Sequence, residues 1–165
     1  MQLLIIRHAR AAEASGFPDS QRPLTALGRR EFEASARWIV EKGVTLGHVF
    51  HSPAIRTTET AEILANVAGL RDHVRQSVSW LALGTGIDEI LPMLSQAPAE
   101  ITALVGHEPN MSALASSLIG GGWISFRPGT IACIEFESAV ASGLGKLNWL
   151  LDAGLFESCP RDSVI

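Results

Sequence analysis

The chain is poor in most of the features that mark a special class of protein. It has two cysteines in 165 residues, Cys133 and Cys159, too few for a disulfide framework. Cys133 falls in an apolar strand pattern and reads as a small core residue, whereas Cys159 stands near the end of the chain. There is no CxxC pair, no HExxH and no Walker-type glycine loop, so no metal, nucleotide or other cofactor is expected. No apolar run reaches the length of a membrane span. The N-terminus lacks the basic start, apolar stretch and small-residue cleavage site of a signal peptide, and its first apolar residues run directly into Arg7. A cytoplasmic location is the expectation that follows. An excess of one charge is missing as well. A net charge of −4 disfavours nucleic acid and anionic membranes as partners, because both require a basic surface.

What is present is a globular composition, 47% hydrophobic and 18% charged, in a chain long enough to bury a sizeable core. With no internal repeat and no linker-like tract, residues 1–165 read as a single domain, with about 156–165 expected as a mobile tail. Residues 2–6 predict a strand and 11–24 a loop. Apolar positions Leu27, Phe32, Ala36, Ile39 and Val40 recur at helical spacing behind Thr25, a natural cap, and Gly43 ends that helix. Residues 47–51 predict a second strand. Ser52-Pro53 reads as an N-cap followed by Pro at the first helical position of a helix running to about Val67. A short strand is expected at Val78–Leu81 and a short helix at Gly86–Leu94. A strand over Ile101–Val105, a helix over Asn110–Ile119, a strand over Thr130–Phe136 and an edge strand over Lys146–Leu151 complete the reading. The alternation argues for an α/β layer fold with a mostly parallel central sheet flanked by helices.

Three strand ends share one design. The first strand runs into Arg7-His8, the second into Ser52-Pro53-Ala54-Ile55-Arg56, and the third into Gly106-His107-Glu108-Pro109. In a parallel sheet these ends converge on one edge, which is where ligands of open α/β folds bind. Two histidines, two arginines and helix N-termini would then meet in a pocket that attracts anions although the whole chain is acidic. A dianionic phosphoryl group fits such a pocket best. Guanidinium forks hold its oxygens, a neutral histidine attacks phosphorus, and charge stabilisation carries most of the catalysis.

These residues carry a family resemblance. Arg7-His8-Ala9 resembles the Arg-His-Gly signature of the histidine phosphatase superfamily, the phosphoglycerate-mutase-like fold. Ser52-Pro53-x-x-Arg56, followed by Thr57-Thr58-Glu59-Thr60-Ala61, is similar to the second motif of that family, and Gly106-His107-Glu108-Pro109 to its third. Arg22-Pro23-Leu24-Thr25-x-x-Gly28 is similar to the small SixA-type branch of phosphohistidine phosphatases, which the short chain also suits. The resemblance implies a three-layer fold and a phosphatase acting through a phosphorylated His8. Arg7 and Arg56 would bind the phosphoryl oxygens, and His107 would stabilise the developing charge. The substrate would be a protein phosphohistidine; the alternative is a small phosphate ester. Ala9 departs from the pattern, standing where most of the superfamily has Gly. A Cβ there could tighten the pocket, which leaves a catalytically silent phosphoprotein-binding module as a further alternative.

A phosphate monoester needs a proton donor for its leaving alkoxide. Glu108 is the nearest candidate, with Asp19 and Glu13 in the loop after the first motif. A phosphohistidine substrate relaxes that need, because one N–P bond is exchanged for another and the leaving imidazole titrates near neutrality. Arg22 is a further candidate for the pocket rim, or else a surface partner of Asp19. Trp38, Trp80, Trp123 and Trp149 are scattered and read as core or rim packing. His48 and His51 lack the neighbouring carboxylates or thiols of a metal site, and His73 lies in the charged stretch Arg71-Asp72-His73-Val74-Arg75, which reads as a solvated loop.

Overall fold

The structure, a computed structural model, describes residues 1–14, 16, 18–94 and 101–156. Cys159 and the expected tail beyond Phe156 lie outside the described residues, as does the side chain of His73. Phe156 itself packs against the core. The chain runs through β1 (Gln2–Arg7), α1 (Ala26–Glu41), β2 (Leu46–His51), α2 (Ile55–Val67), β3 (Arg75–Ser77), α3 (Ile87–Leu94), β4 (Ile101–Gly106), α4 (Asn110–Leu118), β5 (Ile131–Glu135) and β6 (Lys146–Leu151). The six strands form one sheet in the order β3-β2-β4-β1-β5-β6. Strands β1 to β4 run parallel, β5 pairs antiparallel with β1, and β6 pairs antiparallel with β5.

The uninterrupted apolar run Leu3–Ile6 is explained by helices on both faces. Leu4 and Ile6 pack with Phe32, Ala36 and Ile39 of α1 and with Ala61 and Leu64 of α2. Leu3 and Ile5 face the other way, onto Ile90 and Leu94 of α3 and Met111, Leu114 and Leu118 of α4. The result is the three-layer α/β/α arrangement expected. Each of the fully buried Leu, Ile, Met and Phe side chains among them contributes roughly 1.5–3 kcal/mol of transfer free energy.

Helix α1 begins where its sequence says it should. The Thr25 hydroxyl accepts the Gly28 N–H at 2.9 Å, and both the Thr25 N–H and its hydroxyl donate to the Arg10 carbonyl. Gly28 makes that docking possible, since a Cβ there would lie 2.3 Å from the Arg10 carbonyl oxygen. The segment Thr25-x-x-Gly28 therefore seats a helix end directly behind Arg7-His8.

Two local expectations are corrected. Ser52 is not the cap of α2: the helix starts at Ile55 with Ala54 in the capping position, and Thr57 and Thr58 hydroxyls donate to the Ala54 carbonyl. Ser52 is drawn off to another partner, described below. The strand expected at Val78–Leu81 is instead a 3-10 turn over Ser79–Leu81. The pairing lies one step earlier, at Arg75–Ser77, because the Val78 N–H makes the last bond to β2, at the His51 carbonyl, before the chain turns. Gly120-Gly121-Gly122 is a turn, as expected. Among the described residues no helix is long and apolar enough to cross a membrane.

Candidate active site

The parallel register sets the site. Arg7 lies opposite Gly106 in the β1–β4 pair, and His51 opposite Val105 in the β2–β4 pair. The residues that follow, His8 and His107, therefore emerge level at the C-terminal lip of the sheet, with Ser52 one position behind them. Two further ladder bonds hold them there, from His8 N–H to the Gly106 carbonyl and from Ser52 N–H to the Val105 carbonyl.

The hydrogen bonds of His8 select one tautomer. Its Nδ1 lies 2.8 Å from the Ala9 carbonyl oxygen, which can only accept, so Nδ1 carries the proton. Its Nε2 accepts from Arg56 Nε at 3.2 Å, so the lone pair is on Nε2. Burial pushes the His8 pKa down to about 4; the Ala9 bond opposes this, and the charges of Arg56, Arg7 and Arg22 add to it. The ring is neutral at physiological pH.

His107 stands edge-on to His8, with ring centroids 5.3 Å apart. Its Nε2 is 2.8 Å from the Ser52 hydroxyl oxygen, the partner that removes Ser52 from capping α2. Burial pushes the His107 pKa down to about 3, with further lowering by Arg56 and His8. Arg56 is buried at the start of α2. It spends Nε on His8 and its two terminal nitrogens on Asp19, Nη1 on the backbone carbonyl and Nη2 on the carboxylate at 2.8 Å. Arg7 donates from Nη1 to the Phe126 carbonyl at 2.6 Å. Arg22 donates from Nε to the Ala12 carbonyl and from Nη1 to the other Asp19 carboxylate oxygen, at 2.7 and 2.8 Å. Hydrogen bonds from Arg22 and Arg56 hold the Asp19 carboxyl below the usual carboxylate range.

The lip thus brings together His8, Arg7, Arg56 and His107, with Asp19 and Arg22 attached through Arg56. Three buried polar atoms on or beside this lip have no hydrogen-bond partner: Arg7 Nε, His107 Nδ1 and Glu108 Oε1. Buried polar atoms are nearly always satisfied, so water or a polar ligand is the partner these three call for. Glu13 is exposed. His51 is buried with Nδ1 on the Ser52 carbonyl, and the His48 ring stacks on Phe50. Trp38 packs on Trp149 and Trp80 on Phe50, whereas Trp123 is 78% exposed and contributes little packing. Among the described residues no group of three or more His, Cys, Asp or Glu is gathered to hold a metal.

Ala9 does not distort the site. It has a negative φ, as every described non-glycine residue does, and its methyl is buried in the core between sheet and α1. Its N–H donates to the Thr60 hydroxyl, which itself donates to the Arg56 carbonyl. One side-chain oxygen thus ties the β1 lip to α2. Motif reading gave Thr60 no role of its own, although a cluster of three threonines inside a helix signals hydroxyls in use. The Phe126 carbonyl and the Gly129 N–H, which is shared by the Arg7 and His8 carbonyls, were also missed. Gly129 adopts φ +84, and no spacing rule connects it to Arg7 and His8, at the end of the chain's first strand.

Residues 3–84 match the sequence pattern of the histidine phosphatase superfamily (branch 1). An uncharacterised protein of Picosynechococcus sp. is 32% identical over 125 residues, covering 73% of this chain and 74% of that one. The phosphohistidine phosphatase SixA of Escherichia coli is 27% identical over 152 residues, covering 90% and 92%. The solved structure of the protein histidine phosphatase SixA complexed with tungstate superposes with a TM-score of 0.83 at 25% identity, over 94% of this chain and 99% of that one. Fold, lip and sequence agree: the chain belongs to the histidine phosphatase superfamily, whose members are phosphatases and mutases. Within it the chain falls in the SixA-type branch.

Proposed function

We propose that the chain is a metal-independent phosphatase that forms a covalent phosphohistidine at His8 and removes phosphate from protein phosphohistidine. The observation that carries this reading is the His8 tautomer. With Nδ1–H anchored on the Ala9 carbonyl, the Nε2 lone pair lies beside Arg56, where a bound phosphoryl group would be attacked. As the Nε2–P bond forms, the substrate's P–N bond breaks and the leaving imidazole recovers its electron pair and takes up a proton. The His8 ring gains positive character, which strengthens its Nδ1–H bond to Ala9. Arg56 and the unpartnered Arg7 Nε bind the phosphoryl oxygens. The Ser52 hydroxyl occupies His107 Nε2, leaving His107 Nδ1 to donate to the same oxygens. Water then attacks phosphorus, the His8–P bond breaks, and phosphate leaves with His8 restored.

The carboxylates favour a nitrogen leaving group. Asp19 is clamped between two arginines and held ionised, a poor proton donor. An imidazole leaving group can take its own proton from solvent, whereas an alkoxide cannot wait for one. The relative named a phosphohistidine phosphatase and the structure named a protein histidine phosphatase support the same substrate class. A second reading, a small phosphomonoester with Glu108 as acid, has the unpartnered Glu108 Oε1 in its favour. Turnover of a phosphohistidine-bearing protein and of para-nitrophenyl phosphate, each in EDTA, with wild type and His8→Ala, separates the two. Loss of phosphate from the protein that stops in the variant is the expected result. Rapid turnover of the ester with the protein untouched would instead select the phosphomonoesterase. Oxyanion binding without turnover of either would select the binding module.

A further inference from the structure

The residues of the lip bond to one another. Arg56 Nε–H caps the His8 Nε2 lone pair, the same pair that must reach phosphorus. The far edge of the Arg56 guanidinium is capped in turn by Asp19, through both its carbonyl and its carboxylate. The second carboxylate oxygen of Asp19 is held by Arg22. One carboxylate therefore bridges two guanidinium groups, as a substrate oxyanion would, but from the solvent side. Asp19 is half exposed, on a single 3-10 turn over Asp19–Gln21, while Arg56 is buried. The loop carrying it is pinned at its base, where Ala11 bridges to Leu24 and the Ala12 N–H bonds the Pro23 carbonyl.

Resting on the phosphatase reading above, we propose that Asp19 is an internal counter-ion of the phosphoryl site, which holds Arg56 against the His8 lone pair and competes with the substrate's oxyanion for it. For an oxyanion to bind, Arg56 Nε–H must leave His8 Nε2 and turn to a phosphoryl oxygen. Asp19 opposes that step in two ways. It anchors the guanidinium by its other edge, and it places a negative charge beside the incoming dianion, where like charges repel. Asp19 acts through Arg56 and is a positioning residue. It offsets part of the positive charge of Arg56 and Arg22, so the pocket selects the doubly charged phosphoryl group over weaker, singly charged anions that cannot outcompete a carboxylate already in place.

The test is the dissociation constant for tungstate and for inorganic phosphate at pH 8, in wild type, Asp19→Asn and Asp19→Glu. Asp19→Asn keeps the shape and the backbone carbonyl but removes the charge. It is expected to bind both anions roughly five- to tenfold more tightly, with a steeper loss of affinity as salt is raised and a lower KM for the substrate. Asp19→Glu restores the charge and is expected to return affinity toward wild type. The residue lies on an exposed turn, so the urea midpoint should move little in either variant. Unchanged or weaker anion binding in Asp19→Asn would overturn the counter-ion role and make Asp19 a plain support for Arg56. Wild-type protein that binds neither anion would overturn the phosphoryl site as well, which separates the two failures.

Discussion

The two halves of the sheet are built to different specifications. Strands β1 and β4 are buried along almost their whole length and end in Arg7-His8 and Gly106-His107. Strand β6, at one edge of the sheet, alternates exposed and half-buried residues as far as the buried Leu151 and ends in no functional group. Parallel strands must return by a crossover, so each one delivers its C-terminal end, with the residues that follow, to the same side of the sheet. Strand β5 runs the opposite way and brings its beginning to that side. This is why the segment before it supplies backbone alone: the Phe126 carbonyl on Arg7 and the Gly129 N–H on Arg7 and His8. Chemistry concentrates where strand ends accumulate, and the antiparallel half braces it.

Substitutions sharpen this contrast, beginning with the largest effect. His8→Ala on the lip should lower turnover by about 10⁴-fold or more, while Leu150→Thr on β6 should leave it within about twofold; comparable losses would dissolve the distinction. Arg56→Lys keeps the charge but loses the fork that reaches His8 and Asp19 together. It should cost about 10²- to 10³-fold in kcat/KM, read from steady-state kinetics on the same substrate.

The acid response of the fold should also belong to the lip. His8 and His107 are held neutral in the folded protein, at about 4 and about 3, against an unfolded value near 6.5. Below pH 6.5 the unfolded chain takes up protons that the folded one refuses, so stability present above that pH is lost as pH falls toward 4. Urea unfolding should show roughly 2–4 kcal/mol lost between pH 6.5 and 5, and His8→Gln or His107→Gln should flatten the slope. A slope untouched by either variant would place the titration elsewhere. Gly28→Ala forces a methyl onto the Arg10 carbonyl and should destabilise by about 2–3 kcal/mol, with turnover falling because that carbonyl lies two residues from His8. Ala9→Gly is the mildest. The methyl serves the core and not the pocket, so about 0.5–1 kcal/mol of stability should be lost and turnover should change less than threefold.

Strand-end motifs and the resemblance they carry pointed to His8, Arg7, Arg56 and His107, which the fold gathers at one lip because each stands at or shortly after the end of an apolar parallel strand. The same reading placed the helices behind them. It failed where a side chain had two local options and a distant partner decided. Ser52 followed by Pro53 reads as a helix cap, but His107, 55 positions away, takes its hydroxyl. Strand β3 is three half-exposed or exposed polar residues, with no alternation to detect. The Asp19–Arg56 contact spans 37 positions, and Asp19 in isolation looks like any loop carboxylate or acid. Periodicity encodes which face is buried; it carries no information on which polar groups meet once the strands are level.

The register that levels the lip also decides where the chain can change. Shifting any of the three parallel pairings by one residue would move a motif by about 3.3 Å and turn its side chain to the opposite face, so the strands are closed to insertion. Residues 82–86 leave the sheet before they begin and can lengthen or shorten without shifting that register, whereas residues 11–24 carry Asp19 and Arg22 and so set how Arg56 is held against His8. A lineage carrying this sheet can therefore exchange one substrate for another by editing loops, while inheriting its phosphoryl chemistry intact.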